Sequence, residues 1–196
     1  AQELVRRFGP KLINIFAQAE TFGPITCLRP EDYILADGQV DIQKLMSVGY
    51  ATPPRSIGVI DEAGNVRAKN ASGEIVVRSF TVLDGFLHDI TDSKKENAWH
   101  RTGDIGVLDE EGMLTLVDRK RDMIITGGFN VFSVEVESTL LSNPDVGEAA
   151  VVGLADEKWG EAVTAFVELK PGASISSQSL IDFCKAKIGS VKAPKT

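Results

Sequence analysis

The chain has 196 residues, 21 Lys+Arg against 28 Asp+Glu, and a formal net charge of −7. With 43% hydrophobic and 25% charged residues it has the composition of a globular protein that buries a core, and a disordered chain is excluded. The acidic balance excludes a nucleic-acid surface, which needs clustered Lys and Arg to neutralise phosphates. No apolar run approaches the ~18 residues of a membrane helix. The opening AQELVRRFGPKL has no apolar core of a signal peptide. Cys27 and Cys184 lie far apart and form no C-x-x-C pair, so neither a disulfide framework nor a zinc site is expected. A reducing cytoplasm is the expected compartment. The first residue is not Met and the sequence stops abruptly at KAPKT, which reads as a piece of something longer.

In chain order, Gln2–Phe8 reads as the end of a helix. Residues Ser56–Asp61 form a strand that enters the turn Glu62-Ala63-Gly64-Asn65. Gly73–Ser79 is a β-branched strand. Ile105–Asp109 and Met113–Asp118 flank Glu110-Glu111-Gly112 as a hairpin. A dense charged run, Asp118-Arg119-Lys120-Arg121-Asp122, then divides the chain into residues 1–118 and 119–196.

Beyond it the pattern alternates. Met123–Thr126 is a short strand broken by Gly127-Gly128. Ser133 caps a helix over Val134–Ser142 that stops at Asn143-Pro144. Glu148–Gly153 reads as a buried strand. Ala162–Leu169 places Val163, Ala165, Val167 and Leu169 on one face. Ser176 or Ser177 opens a helix in which Leu180, Cys184 and Ile188 repeat every four residues. The result is an α+β chain: a β-rich first part, then a small α+β unit.

Four segments could carry chemistry. Asp104, presented by Arg101-Thr102-Gly103-Asp104, can accept two hydrogen bonds from a vicinal diol such as a ribose, or can cap a turn. Arg119-Lys120-Arg121 suits phosphate, or is a solvated connector. Gly127-Gly128 permits a close approach by a ligand, or ends a strand. Glu20 can share Mg²⁺ with substrate phosphates, or is a surface carboxylate. His88 and His100 lack triad partners, Cys184 lies on an apolar helix face, and Trp99 and Trp159 read as packing residues.

Taken in order, these segments resemble the later part of an adenylate-forming enzyme of the acyl-CoA synthetase type. Phe16-Ala17-Gln18-Ala19-Glu20 is similar to the family's Tyr-Gly-x-Thr-Glu, with Phe, Ala and Ala in place of Tyr, Gly and Thr. Gly73-Glu74-Ile75 with Asp84-Gly85-Phe86 resembles a structural Gly-Glu-Ile … Gly-Tyr block. Trp99-His100-Arg101-Thr102-Gly103-Asp104 matches Tyr-Arg-Thr-Gly-Asp. Arg119-Lys120-Arg121-Asp122 resembles the hinge before the small domain. Gly127-Gly128-Phe129-Asn130-Val131 and Glu135-Val136-Glu137 resemble the Gly-Gly-x-Asn-Ile loop and the Glu-Ile-Glu that follows it, with Ser133 where relatives carry Pro. Lys192-Ala193-Pro194-Lys195 resembles the late Tyr-Lys-x-Pro segment.

The resemblance implies a fold and a function. Residues 1–118 would be the β-rich end of the large AMP-binding domain, and residues 119–196 a small α+β lid. Glu20, with Mg²⁺, together with Asp104 and Arg119 would bind ATP, Arg121 would be the hinge, and Gly127 and Gly128 would line the coenzyme A tunnel. The intact protein would join a carboxylic acid, fatty or aryl, to coenzyme A through an acyl-adenylate. The phosphate loop is expected upstream of residue 1 and the adenylation lysine beyond Thr196, so this chain alone is expected to be inactive. The alternatives are a CoA-independent acyl-AMP ligase, a peptide-synthetase adenylation domain, or a non-catalytic nucleotide-binding or interaction module. Apolar surface left bare on the first part would favour association between copies.

Overall fold

Runs of β-branched and aromatic residues punctuated by glycine build two units, Ala1–Val117 and Asp118–Thr196. The computed structural model describes residues 1–83 and 98–196. Asp84-Gly85-Phe86 and His88 lie outside the described residues.

In the first unit α1 (Gln2–Phe8) precedes β1 (Asn14–Gln18), which turns through a single 3₁₀ turn, Ala19–Thr21, into β2 (Gly23–Leu28). Two one-turn helices, α2 (Pro30–Tyr33) and α3 (Ile42–Leu45), lead to β3 (Tyr50–Ala51), and the three strands form an antiparallel sheet in chain order. A second sheet runs in the order β4 (Ser56–Ile60), β5 (Ser72–Arg78), β6 (His100–Leu108), β7 (Leu114–Arg119). Phe16 of β1 and Ile25 of β2 share one buried cluster with Ile75 and Val77 of β5 and Leu114 of β7, so the two sheets close on a common core. Val5, Leu28, Tyr33, Leu45 and Met113 form a neighbouring cluster that seats the three helices. The expected turn at Glu62–Asn65 and the hairpin around Gly112 (φ +85°) are both present.

One local expectation needs correcting. Arg101–Asp104 is not a free turn ahead of the hairpin but lies within β6. Val76 pairs with Arg101 and Glu74 with Ile105, so Thr102, Gly103 and Asp104 oppose Ile75 alone. This is a β-bulge, and bulges re-aim side chains out of the ladder.

The second unit contains β8 (Ile124–Thr126), β9 (Phe129–Val131), α4 (Ser133–Leu141), β10 (Val146–Asp156), β11 (Gly160–Leu169) and α5 (Ser177–Lys192). Its sheet has the order β10-β11-β8-β9. Both helices pack on one face, burying Ile124, Val131, Val136, Leu140, Val151, Val163, Leu180 and Cys184 together. Val163, Ala165, Val167 and Leu169 share that face as the period of two requires. The run at 148–153 reads as a buried strand, yet Val152 and Leu154 beyond it are 41% and 48% exposed, because helices cover one face of β10 only.

The start of α4 also differs from expectation. Ser133 is the first helical residue, and Phe132 occupies the cap position without a side-chain bond. Asp118 supplies the missing acceptor: its Oδ2 receives the Ser133 hydroxyl at 3.2 Å, and the Val134 N–H points at the same oxygen from 3.5 Å. A carboxylate there answers both the orphan amides and the positive end of the helix. For α5, Ser176 is the N-cap, with its Oγ accepting from the Ser179 N–H at 3.2 Å. Among the described residues no helix is long and apolar enough to cross a membrane.

Two outcomes follow from the packing. Gly49 sits at φ +78°, and a Cβ there would overlap the Cys27 carbonyl and the Leu28 nitrogen of β2. Gly49→Ala should therefore cost more than about 2 kcal/mol in denaturant unfolding, combining strain and backbone collision. Burial pushes the Cys184 thiol up, whereas Cys27 is half-exposed. A thiol reagent at mildly alkaline pH should label one thiol in the native chain and both after denaturation, and fast labelling of two native thiols would contradict this core.

Candidate functional site

Strand alternation decides where Gln18 goes. Phe16 enters the core from β1, 7% exposed, and Gln18, two residues on, follows it to the same side at the end of the strand. There its Nε2 donates to Asp104 Oδ2 at 2.7 Å and to the Thr102 carbonyl at 2.8 Å. Thr102 braces the bulge from within. Its hydroxyl donates to the Ile75 carbonyl at 2.9 Å, and the Asp104 N–H donates back to that hydroxyl at 3.1 Å. Gly103 makes the bend at φ +73°, a conformation that favours glycine. Asp104 is thus a carboxylate anchored by a side chain from one sheet on a bulge of the other. Two carboxylate oxygens together accept several hydrogen bonds, so an anchored carboxylate can still receive a vicinal diol.

Glu20 sits two residues beyond Gln18 in the 3₁₀ turn, half-exposed. The turn is held through its neighbour Thr21, which is fully buried. The Thr21 hydroxyl donates to the Gln18 carbonyl at 2.9 Å, and its carbonyl accepts from Arg55 at 3.1 Å and from the Thr81 hydroxyl at 2.9 Å. The Glu20 carbonyl accepts the Leu83 N–H at 2.8 Å. Gln18 therefore links the two acidic candidates of the first unit, contacting one and preceding the other by two residues. Among the described residues no group of three or more His, Cys, Asp or Glu could cage a metal. A lone carboxylate fits a Mg²⁺ ion that takes its remaining ligands from phosphates and water.

Arg119, Arg121, Gly127 and Gly128 all fall in the second unit. Arg119 ends β7, its N–H donating to Asp118 Oδ1 at 2.7 Å. Lys120–Asp122 is a 3₁₀ turn in which Arg121, with a side chain 74% exposed, faces Asp122 at 3.4 Å. An ion pair so exposed contributes little to stability.

Gly127 and Gly128 form the two-residue turn between β8 and β9, with Thr126 paired to Phe129 across it. Their φ values of +57° and +81° are those of a type I′ hairpin, which demands positive φ at both positions. The Gly127 N–H donates to the Trp159 carbonyl at 2.8 Å, and a Cβ on Gly127 would come within 3.0 Å of the indole ring. Lys158 and Lys195 lie 4.9 and 5.2 Å from the ring centroid of Trp159. The Lys195 ammonium also donates to the carbonyls of Ser190, Val191 and Ala193 at the end of α5, and burial lowers its pKa. Trp159 packs under Gly127 as the sequence suggests, whereas Trp99 is 42% exposed and stacks on Arg78 at 4.8 Å.

Sequence reasoning misses the organising contacts of three residues in these segments: Gln18, Arg55 and Asp118. Gln18 has a readable signal, a polar side chain on the same strand face as a core phenylalanine. The other two bond over 34 and 15 positions and leave no local pattern.

Residues 135–196 match the model of the AMP-binding enzyme C-terminal domain. The chain is 37% identical to 2-succinylbenzoate–CoA ligase of Geobacillus sp. (strain WCH70), over 98% of its own length and 38% of the relative's. It is 35% identical to the long-chain-fatty-acid–CoA ligase FadD13 of Mycobacterium tuberculosis, over 99% and 38%. The structure of o-succinylbenzoate CoA synthetase (MenE) from Bacillus subtilis, in complex with the acyl-adenylate intermediate OSB-AMP, superposes with a TM-score of 0.80 at 34% identity, over 98% of this chain and 38% of that one. The chain thus spans well under half the length of these relatives. With a domain model covering most of its second unit and acyl-CoA ligases matching it from end to end, this chain belongs to the adenylate-forming acyl-CoA ligase family.

Proposed function

We propose that the protein carrying this chain activates a carboxylic acid with ATP and passes the acyl group to the thiol of coenzyme A. In the first step a carboxylate oxygen of the acid attacks the α-phosphorus of ATP and the bond to the β-phosphate breaks, releasing pyrophosphate. In the second, the coenzyme A sulfur attacks the acyl carbon, the bond to AMP breaks, and the thiol proton leaves to solvent. A free carboxylate is a poor electrophile; the adenylate has a good leaving group and less negative charge to repel the thiolate.

The observation that carries the reading is Asp104, held on its bulge by Gln18 at 2.7 Å. It would accept the two ribose hydroxyls of the nucleotide, bonds to a charged acceptor being stronger than neutral ones. Glu20, in its braced turn, would hold Mg²⁺, which neutralises charge on the phosphate oxygens when bound. Arg119 would reach the nucleotide, and Arg121 would be the pivot that exchanges the faces of the small domain between the two steps. The Gly127-Gly128 hairpin, with no side chain to obstruct, would lie along the pantetheine arm of coenzyme A. Fatty and aryl acids are the proposed substrates, in keeping with the two curated relatives.

No segment of the 196 residues matches the family's Thr/Ser/Gly-rich phosphate loop or its Pro-x-Thr-x-x-Gly-Lys lysine motif. This chain by itself is therefore proposed to lack adenylation activity, and it should catalyse no exchange of labelled pyrophosphate into ATP. Exchange above background by the purified chain, free of contaminating ligase, would refute that. In the full-length protein Asp104→Ala should raise the KM for ATP about 10- to 100-fold, the loss expected for hydrogen bonds to a charged acceptor. An unchanged KM would remove the ribose role from Asp104. Formation of acyl-CoA by the full-length protein tests the second step, and acyl-AMP without thioester would favour the CoA-independent alternative.

A further inference from the structure

We infer that Gln18 is a positioning residue for nucleotide binding, acting through Asp104. The inference rests on the reading of Asp104 as the ribose ligand and extends it to a side chain whose amide donates to the carboxylate and to its bulge.

A carboxylate on a bulge can rotate about χ1 and χ2, and each bound state that fixes it costs side-chain entropy. The Gln18 amide restricts that freedom before any ligand arrives. Its two N–H groups satisfy Asp104 Oδ2 at 2.7 Å and the Thr102 carbonyl at 2.8 Å, so the amide clamps the side chain and the backbone of the bulge together. Both partners are acceptors, which fixes the amide orientation: the Gln18 oxygen facing either would be repelled. Gln18 is itself held. Its backbone closes the β1–β2 ladder opposite Gly23, and its carbonyl accepts the Thr21 hydroxyl at 2.9 Å. Thr21 in turn is pinned by Arg55 and Thr81. The clamp therefore stands on strands rather than on a loop, the arrangement that holds a binding group within the narrow geometric tolerance it needs.

This geometry separates a positioning role from a purely structural one. A structural clip would affect stability, and its removal would weaken ligand binding equally whether or not Asp104 is present. A positioning residue acts only through the carboxylate, so the two substitutions are non-additive. The experiment is a double-mutant cycle on the 196-residue chain with AMP as the probe, followed by ¹H–¹⁵N NMR at millimolar ligand, with melting curves as a control for folding. Gln18→Leu should weaken AMP binding about five- to tenfold, within the range of a lost charge-assisted bond. In the Asp104→Ala background it should change binding less than about twofold. The Gln18 side-chain amide resonances should also move in Asp104→Ala, reporting the contact directly. In the full-length protein Gln18→Leu should raise the KM for ATP while leaving kcat within about twofold.

Equal losses in both backgrounds, or no loss from Gln18→Leu, would overturn the inference while leaving the ribose role of Asp104 intact. If instead Asp104→Ala leaves both AMP binding by the chain and the KM for ATP of the full-length protein unchanged, the ribose reading falls and the positioning role with it.

Discussion

A carboxylate used for recognition must be charged, accessible and still, and stillness is the hardest of the three to arrange at the margin of a sheet. For Asp104, the carboxylate proposed to receive the ribose, stillness comes from an amide bridging 84 and 86 positions of sequence, from the end of β1 to the bulge of β6. The bulge exists because three residues of β6 oppose a single residue of β5. Such an excursion breaks the regular ladder, and Thr102 restores its satisfaction by donating to the Ile75 carbonyl and giving its oxygen to the Asp104 amide. The shared core of Phe16, Ile25, Ile75, Val77 and Leu114 keeps the two sheets in register, without which the amide could not reach. Core packing, bulge and bridge are thus successive conditions, each needed by the next.

The second unit solves a different problem by subtraction. Where the first unit places a side chain, the Gly127-Gly128 turn presents bare backbone. The type I′ geometry requires positive φ at both residues, and the indole of Trp159 fills the space beneath Gly127. The same two glycines therefore satisfy a local folding requirement and leave an unobstructed surface. Strand pairing and the proposed passage of coenzyme A would not compete here, since both favour the absence of Cβ.

Periodic features are legible in the sequence. The helix at Gln2–Phe8, the strand that runs on from Gly73, the inward face of β11 and the Leu180–Cys184 stripe of α5 all follow from spacing and β-branching. The short β9 is not, because three residues after two glycines carry too little pattern to separate a strand from a loop. β10 reads as a buried strand because EAAVVG is apolar almost throughout, and only the placement of both helices on one side shows that the other face is bare. At the candidate site, Glu20 and Asp104 can be named from their segments, but not their connection through Gln18. That link depends on which strands of two sheets become neighbours, and no local rule of composition or period encodes it.

The cap on α4 ties one more property to chain geometry. Asp118 precedes Arg121 in sequence and Ser133 follows it, so a swivel at Arg121, the pivot proposed above, would draw the carboxylate away from the helix it caps. Phe132, at the cap position itself, offers no substitute. The first turn of α4 would then fray as the chain swivels and re-form as it returns. The amide proton of Val134 would then exchange with solvent faster, so its exchange rate reports whether the Asp118 carboxylate caps the helix.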